Sequence, residues 1–171
     1  MSKPTLYLFI GYPGAGKTTI AKLIAETTGA KHIWADVVRH KLFPKPTHSK
    51  EESDELYKQL NEATDYLLSR GKSVVFDTNF NRLADRKHLR KIAKNQNAET
   101  QIIWVTTSEK IAKERAVKSH KSRNLYDMNM SEERFNTIVS KLEPPLKSEP
   151  VIKIDDGRLN KGDIKKLLKL T

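Results

Sequence analysis

Cysteine is absent from this chain of 171 residues. Its absence excludes disulfides, thiolate metal sites and cysteine nucleophiles. A chain without disulfides suits a reducing compartment, so we expect a cytoplasmic protein. No apolar run approaches the roughly 20 residues that cross a bilayer, and the first residues lead directly into a strand pattern. We therefore expect neither a membrane span nor a signal peptide.

Acidic residues are in the minority among the charged residues. The chain has 32 Lys and Arg against 21 Asp and Glu, which gives a formal net charge of +11 and an isoelectric point of about 9.7. Such a balance favours polyanionic partners. Most of the positive charge comes from lysine scattered over helix patterns, whereas arginine is the residue that reads phosphates with defined geometry. Two interpretations stay open, a solvated surface and a nucleic-acid footprint.

Strand and helix patterns alternate along the whole chain. This order predicts a parallel sheet with helices on both faces, that is, a three-layer α/β/α fold in one domain over residues 1–171. Strands are predicted at residues 6–10, 32–35, 73–76, 101–105 and 151–154. Helices are predicted at 17–28, at 37–42, from a capping-box signal at Ser49 and Glu52 to Gly71, around 83–93, at 108–117, from Ser131 to Pro144 and at 161–170.

The most informative motif is a complete G-x-x-x-x-G-K-[ST] sequence at residues 11–18. It follows an apolar strand and opens a helix, which is the context that a phosphate-binding loop requires. Glycines let the backbone N–H groups converge on phosphate oxygens, and the helix aims its positive end at the same anion. Lys17 is then placed to reach the β- and γ-phosphates, and Thr18 to bind Mg²⁺. The predicted nucleotide-binding residues are Gly11, Pro13, Gly14, Ala15, Gly16, Lys17, Thr18 and Thr19.

Two carboxylates follow other predicted strands. Ligands of open parallel sheets bind beyond the carboxyl ends of the strands, so we expect Asp36 and Asp77 near the loop. Asp36 is a candidate general base for an attacking hydroxyl, and Arg39, one helical turn later, a clamp for an acidic group on the substrate. Asp77 is a candidate Mg²⁺ ligand beside Thr18. Each acid also suits a helix cap or a turn.

Residues 119–130 are polar and irregular, and they lie between two predicted helices. Together with the flanking turns they form a predicted lid at about 115–135. An arginine that closes over the moving phosphoryl group is a recurrent feature of phosphoryl transfer. Arg115 and Arg123 are the candidates, although either also suits an ordinary basic surface.

On these motifs the chain resembles the phosphate-loop kinases of the polynucleotide-kinase and zeta-toxin-like group, which includes proteins described as AAA-type ATP-binding. The resemblance is closest to the 5′-kinase domain of phage-type polynucleotide kinase. It rests on the loop, on Asp36-x-x-Arg39, on the Asp77–Asn81 segment, on the lid and on Leu142–Pro145. It implies a phosphate-loop NTPase fold with a helical lid, ATP and Mg²⁺ as cofactors, Asp36 as general base and Arg39 on the acceptor-side phosphate. Substrate-binding roles are implied for Asp36, Arg39, Asp77, Thr78 and Asn79.

Three functional hypotheses follow. The first is a kinase that transfers the γ-phosphoryl group of ATP to a polynucleotide 5′-hydroxyl. The second is a kinase for a small molecule such as a nucleoside, a sugar or an antibiotic. The third is a slow ATPase switch, which needs a residue that orients water, and the sequence offers no clear candidate. A kinase needs a base near the acceptor, and Asp36 supplies one. The sequence predicts no oligomeric state.

Overall fold

The computed structural model describes residues 3–118, 130–155 and 159–170. None of the helices in these ranges combines the length and the apolar character needed to cross a membrane. In chain order the elements are β1 (Thr5–Ile10), α1 (Lys17–Thr28), β2 (Lys31–Trp34), α2 (Ala35–Leu42), α3 (Lys50–Ser69), β3 (Val74–Asp77), α4 (Leu83–Asn95), β4 (Glu99–Val105), α5 (Glu109–Val117), α6 (Glu132–Val139), β5 (Val151–Ile154) and α7 (Lys161–Leu167).

The five strands form one parallel sheet in the order β2-β3-β1-β4-β5. The central strand β1 is paired on both sides, with Leu8 opposite Phe76 of β3 and Ile102 of β4. The predicted parallel sheet is therefore confirmed. Because all strands run in the same direction, their carboxyl ends meet at one edge of the sheet and their amino ends at the other.

Side-chain alternation along β1 divides the core into two layers. Leu6, Leu8 and Ile10 face one cluster, and Tyr7 and Phe9 face the other. Side chains of α3 and α4 cover the first cluster, and those of α1, α6 and α7 cover the second. The main covering side chains are Leu56, Leu60 and Leu89 on the first side, and Ile24, Phe135 and Ile164 on the second. Full burial of each such side chain contributes about 1.5–3 kcal/mol, so the sheet is stabilised from both faces as the three-layer prediction requires.

Most helix boundaries follow the predicted signals, but the C-terminal ends of α6 and α7 do not, and α7 ends at Leu167 rather than at residue 170. Gly29 ends α1 in a left-handed conformation, φ 73°, with its N–H bonded to the carbonyl of Ala25. The prediction that α6 continues to Pro144 is wrong, since the helix ends at Val139. The N–H of Glu143 instead donates to the carbonyl of Asn81 at 2.8 Å. This long-range bond carries the segment towards the phosphate loop rather than along the helix axis.

Candidate active site

The loop between β1 and α1 needs glycine at two positions. Gly14 has φ 79°, and a Cβ there would lie 2.3 Å from the carbonyl oxygen of Ala112 in α5. Gly16 is the N-cap of α1 in the left-handed region, φ 98°. The first turn of α1 has no acidic side chain and its cap makes no side-chain hydrogen bond. The positive end of the helix is thus available to an anion.

Two side chains from other parts of the chain hold this loop in shape. Asn81, which is buried, accepts from the N–H of Gly11 at 3.1 Å and donates to its carbonyl at 3.3 Å. The hydroxyl of Thr107, after β4, donates to the carbonyl of Ala15 at 2.8 Å. The sequence-based site lacks both residues, because nothing in a local pattern indicates such contacts.

A fully buried ion pair between Arg86 and Glu149 holds the backbone at Asn81. Arg86 of α4 donates to the carbonyls of Phe80 and Asn81 at 2.9 and 3.0 Å, and to the Glu149 carboxylate at 2.9 and 3.1 Å. Burial alone would raise the pKa of Glu149, but the hydrogen bonds from Arg86 and Leu146 and the positive charge of Arg86 hold the pKa below its usual value. Arg86 therefore connects the core to the phosphate loop.

Lys17 lies over the loop that it follows. Its Nζ donates to the carbonyls of Gly11 and Tyr12 at 3.0 and 2.7 Å. Desolvation lowers the pKa of Lys17 to about 8, although the negative charges of Asp77 and Asp36 oppose the shift. Lys17 thus lies within the electrostatic reach of both predicted carboxylates.

Asp77 lies at the end of β3, beside the first turn of α1. Its carboxylate accepts from the hydroxyl of Thr18 at 3.2 Å, and its other oxygen lies 3.1 Å from Nε2 of His32 on β2. A hydroxyl beside a carboxylate matches the hard oxygen ligands that Mg²⁺ prefers. No group of three or more His, Asp and Glu side chains in the described ranges could hold a metal alone. This donor set fits an Mg²⁺ ion that takes its remaining ligands from nucleotide phosphates and water.

Asp36 lies in the first turn of α2, immediately after β2. It is exposed, but surrounding protein atoms displace part of its hydration, and this effect raises the pKa of its carboxyl. The negative charge of Asp77 raises the pKa further, while Arg39, His40 and Lys17 oppose the shift. A carboxylate with a raised pKa is a better proton acceptor than an ordinary one.

Arg39 is bound by a carboxylate of the protein itself. Its buried guanidinium forms an ion pair with Glu52 of α3 and donates to the Ser53 hydroxyl at 3.4 Å. Burial would raise the pKa of Glu52, but hydrogen bonds from Thr47 and Arg39 lower the pKa to about 2. Only one of the two hydrogen bonds of the expected capping box therefore forms. The N–H of Glu52 donates to the Ser49 hydroxyl, whereas the Glu52 carboxylate accepts from Arg39 and Thr47. The phosphate-clamp role of Arg39 stays a prediction.

The other predicted substrate residues occupy the rim of the site. Thr78 shares a 2.9 Å hydrogen bond with the hydroxyl of Tyr57 on α3, and Asn79 is exposed. Burial raises the pKa of Tyr57. The structure thus adds three residues to the candidate site, namely Tyr57 beside Thr78, His32 beside Asp77 and Glu52 beside Arg39. Pro13 is partly buried within the loop, and Thr19 is exposed on α1.

The predicted lid is only partly within the described residues. Arg115 lies in the last turn of α5, next to Ala116, whose backbone N would be 3.0 Å from a Cβ on Gly14. Arg123 lies outside the described residues. On the other side of the lid, α6 is joined to α5 by an ion pair between Lys113 and Glu132 at 3.1 Å. The ring centroid of Phe135 in α6 lies 6.5 Å from that of Tyr12 in the loop, so both described flanks of the predicted lid border the phosphate loop.

The chain matches a family model described as AAA domain over residues 6–145. No curated protein matches the chain significantly.

Solved structures share the fold at low sequence identity. A Chloroflexus aurantiacus protein provisionally described as a kinase is 18% identical, with a TM-score of 0.78 and 98% of each chain covered. The Mycobacterium tuberculosis APS kinase CysC, in complex with AMPPNP and APS, is 17% identical, with a TM-score of 0.69 and 99% of each chain covered. A chain of the Pnkp1/Rnl/Hen1 RNA repair complex is 17% identical, with a TM-score of 0.70 over 83% of this chain and 45% of that one. These likenesses confirm the predicted phosphate-loop NTPase fold.

Proposed function

The chain belongs to the family described as AAA domain, and we propose that it is a kinase that transfers the γ-phosphoryl group of ATP to a hydroxyl group. The observation that carries the proposal is the meeting of the candidate groups at one end of the sheet: Nζ of Lys17 binds carbonyls of the loop, and the Thr18 hydroxyl binds the Asp77 carboxylate. Asp36 is close enough for its charge to act on Lys17. A phosphate-binding lysine, a metal-type carboxylate and a basic carboxylate in one site are the parts that this reaction uses.

Each residue has a role in the proposed reaction. The loop N–H groups and Lys17 hold the β- and γ-phosphates and neutralise their charge. The acceptor oxygen forms a bond to the γ-phosphorus while the bond from that phosphorus to the β–γ bridging oxygen breaks. Asp36 takes the proton of the hydroxyl, so ADP leaves with the electron pair of the broken bond. Arg115 and Arg123 stabilise the charge on the transferring group.

Thr18 and Asp77 are the proposed Mg²⁺ ligands. When bound, Mg²⁺ neutralises negative charge on the β- and γ-phosphates. His32 lies 3.1 Å from the second oxygen of Asp77 and orients the carboxylate. The hydrogen bond between Thr18 and Asp77 keeps the two metal-binding groups adjacent.

The proposed acceptor is a polynucleotide 5′-hydroxyl. The net charge of +11 supports it, and so does the fold shared with a chain of an RNA repair complex. A small-molecule acceptor is the second candidate, because Glu52 already binds the guanidinium that a substrate phosphate would need. For a polynucleotide to bind as proposed, its phosphate shares Arg39 with Glu52 or displaces it.

A transfer assay with γ-labelled ATP tests the proposal. The acceptors are a short 5′-hydroxyl oligonucleotide, the same oligonucleotide with a 5′-phosphate as matched control, and a panel of free nucleosides and sugars. We expect label on the 5′-hydroxyl oligonucleotide alone, and ATP consumption that rises only when an acceptor is present. Label on a nucleoside or sugar instead selects the small-molecule kinase. Equal ATP consumption with and without every acceptor refutes the kinase and favours the switch.

A further inference from the structure

A second charged feature lies at the opposite edge of the sheet from the phosphate loop. A groove of about 530 Å³ is lined by α4 and by residues that precede β1, β4 and β5. In a parallel sheet these positions are the amino ends of the strands. The six residues of β1 separate this edge from the phosphate loop by about 20 Å. The cations among its lining residues are Lys3, Lys87, Arg90, Lys91 and Lys94.

The groove is lined by five cations and by no acid. Lys87, Arg90, Lys91 and Lys94 recur at the spacing that places residues on one face of a helix, and Lys3 is the fifth. Among the described residues, no carboxylate lies within salt-bridge distance of any of these five groups. Like charges three and four residues apart destabilise a helix. An anion in the groove relieves this repulsion.

Acids that lie next to the groove residues in the sequence are directed elsewhere. Asp85 lies two residues before Lys87, a spacing that does not bring two side chains to one face of a helix, and its charge acts on Tyr57 of α3. The charge of Arg90 contributes to the lowered pKa of Glu149, but the Glu149 carboxylate is paired with the buried Arg86. Glu99 lies between the lining residues Ala98 and Thr100, and strand alternation places it on the other face of the sheet from Thr100, where its charge affects Tyr7. The groove therefore keeps its positive charge even though acids lie next to it in the sequence.

The shape of the surface favours a linear polyanion over a membrane. None of the exposed large apolar side chains of the described residues lines the groove, so it lacks the apolar anchors of a membrane-binding surface. From Lys87 to Lys94 the helix rises about 10 Å. That length matches about three phosphates of one nucleic-acid strand, which follow each other at about 3.4 Å along a helix axis.

We infer that this groove binds the phosphate backbone of a nucleic-acid strand. Four of its five cations are lysines, which bind phosphates as point charges, so the binding is independent of base sequence. The inference does not rest on the proposed kinase activity. It concerns a surface on the other edge of the sheet and predicts binding without ATP.

The test is binding of a 5′-phosphorylated, single-stranded 15-nucleotide probe with a 3′ fluorophore, measured by anisotropy without ATP. The 5′-phosphate removes the hydroxyl that the proposed reaction would use, so binding and catalysis are measured apart. We compare wild type with Lys87→Gln/Lys91→Gln/Lys94→Gln. The matched control is Lys165→Gln/Lys166→Gln/Lys169→Gln, which removes the same charge from exposed lysines at the end of the chain. Melting temperatures verify that both triple variants are folded.

We expect the groove variant to bind about tenfold more weakly than wild type at 50 mM salt. Its plot of log binding constant against log salt should be shallower by about 2, since three neutralised phosphates contribute about 0.7 each for a single strand. The control variant should stay within about threefold of wild type. Equal losses in the two variants, or no binding by wild type at 50 mM salt, overturns the inference. So does groove-dependent binding to phosphatidylserine vesicles without binding to the oligonucleotide.

Discussion

The two edges of the sheet carry charge in opposite ways. At the carboxyl edge, one cation and two carboxylates lie together, and the negative charges of Asp77 and Asp36 act on the pKa of Lys17. At the amino edge, Lys91 and Lys94 stand with three other cations and no acid among the lining residues. The first arrangement is the one that we propose for chemistry, and the second is the one that we propose for binding an anion.

The difference also shows in how each edge is built. The carboxyl edge depends on contacts between distant segments: Asn81 binds Gly11, and Arg86 binds Glu149, 63 residues away. The cations at the amino edge come largely from one face of one helix. At the carboxyl edge, where groups depend on one another, one substitution should remove most of the activity. At the amino edge, where charges are independent, each substitution should weaken binding by a similar and additive amount.

The largest effect should come from Lys17→Ala. Lys17 is proposed to neutralise charge on the β- and γ-phosphates, and loss of one such stabiliser costs about 10²–10³ in kcat. Lys22→Ala removes the same charge from an exposed position on the same helix and should leave kcat nearly unchanged. The measurement is steady-state phosphate transfer by both folded variants. Activity of Lys17→Ala within a few-fold of wild type contradicts the nucleotide-binding role of the loop.

Arg86→Met should destabilise the fold and disturb the site from a distance. The substitution leaves the buried Glu149 carboxylate unpaired, and removing one partner of a buried ion pair costs about 3–5 kcal/mol. Denaturant unfolding measures the loss. Arg82→Met, at an exposed position four residues earlier, should change the unfolding free energy by less than about 0.5 kcal/mol. If Arg86→Met is as stable as wild type, the pair does not support the loop as described.

The pH dependence should reveal Lys17. Its pKa of about 8 means that the free enzyme loses the ammonium charge above this pH. The kcat/KM for ATP should therefore fall about tenfold per pH unit above pH 8. Bound phosphates favour the charged form, so the fall in kcat should occur at higher pH. The same lowered pKa means that the unfolded chain binds more protons from pH 8 towards 10.5, so stability of the free protein rises in that window. A flat kcat/KM profile to pH 10 contradicts the assignment.

A smaller effect on kinetics is expected for Arg39→Ala, which tests the acceptor side and is made together with Glu52→Gln, because Arg39→Ala alone leaves the buried Glu52 carboxylate unpaired. Arg39 is proposed to bind a phosphate beside the reacting hydroxyl, so its loss should raise the acceptor KM several-fold and the ATP KM less. Lys41→Ala, in the same helix and exposed, removes the same charge as a control. Both KM values should be measured with the acceptor that accepts label. An equal rise in both KM values shows that Arg39 supports the nucleotide site instead.

The sequence predicted the parts that depend on local pattern. The loop, the five strands and the stop at Gly29 follow from glycine chemistry and periodicity, which operate within a few residues. Asn81, Thr107 and the Arg86–Glu149 pair were missed as site residues because tertiary contacts define them. Glu52 shows both cases: its spacing from Ser49 predicted the helix start, but only the folded chain brings its carboxylate to Arg39. Arg86 lies in a helix rich in lysine and arginine, so the sequence pattern predicts an exposed side chain, whereas the Arg86 side chain is fully buried.

Asp36→Asn is the most direct test of the central claim that the carboxyl edge transfers a phosphoryl group with Asp36 as base. The amide keeps the size of the side chain but cannot accept the proton. Asp54→Asn makes the same change at an exposed site on α3 and serves as control. We predict that Asp36→Asn binds ATP nearly as wild type does and transfers phosphate about 10²–10⁴-fold more slowly. Transfer at the wild-type rate, or loss of ATP binding in place of loss of transfer, contradicts the account.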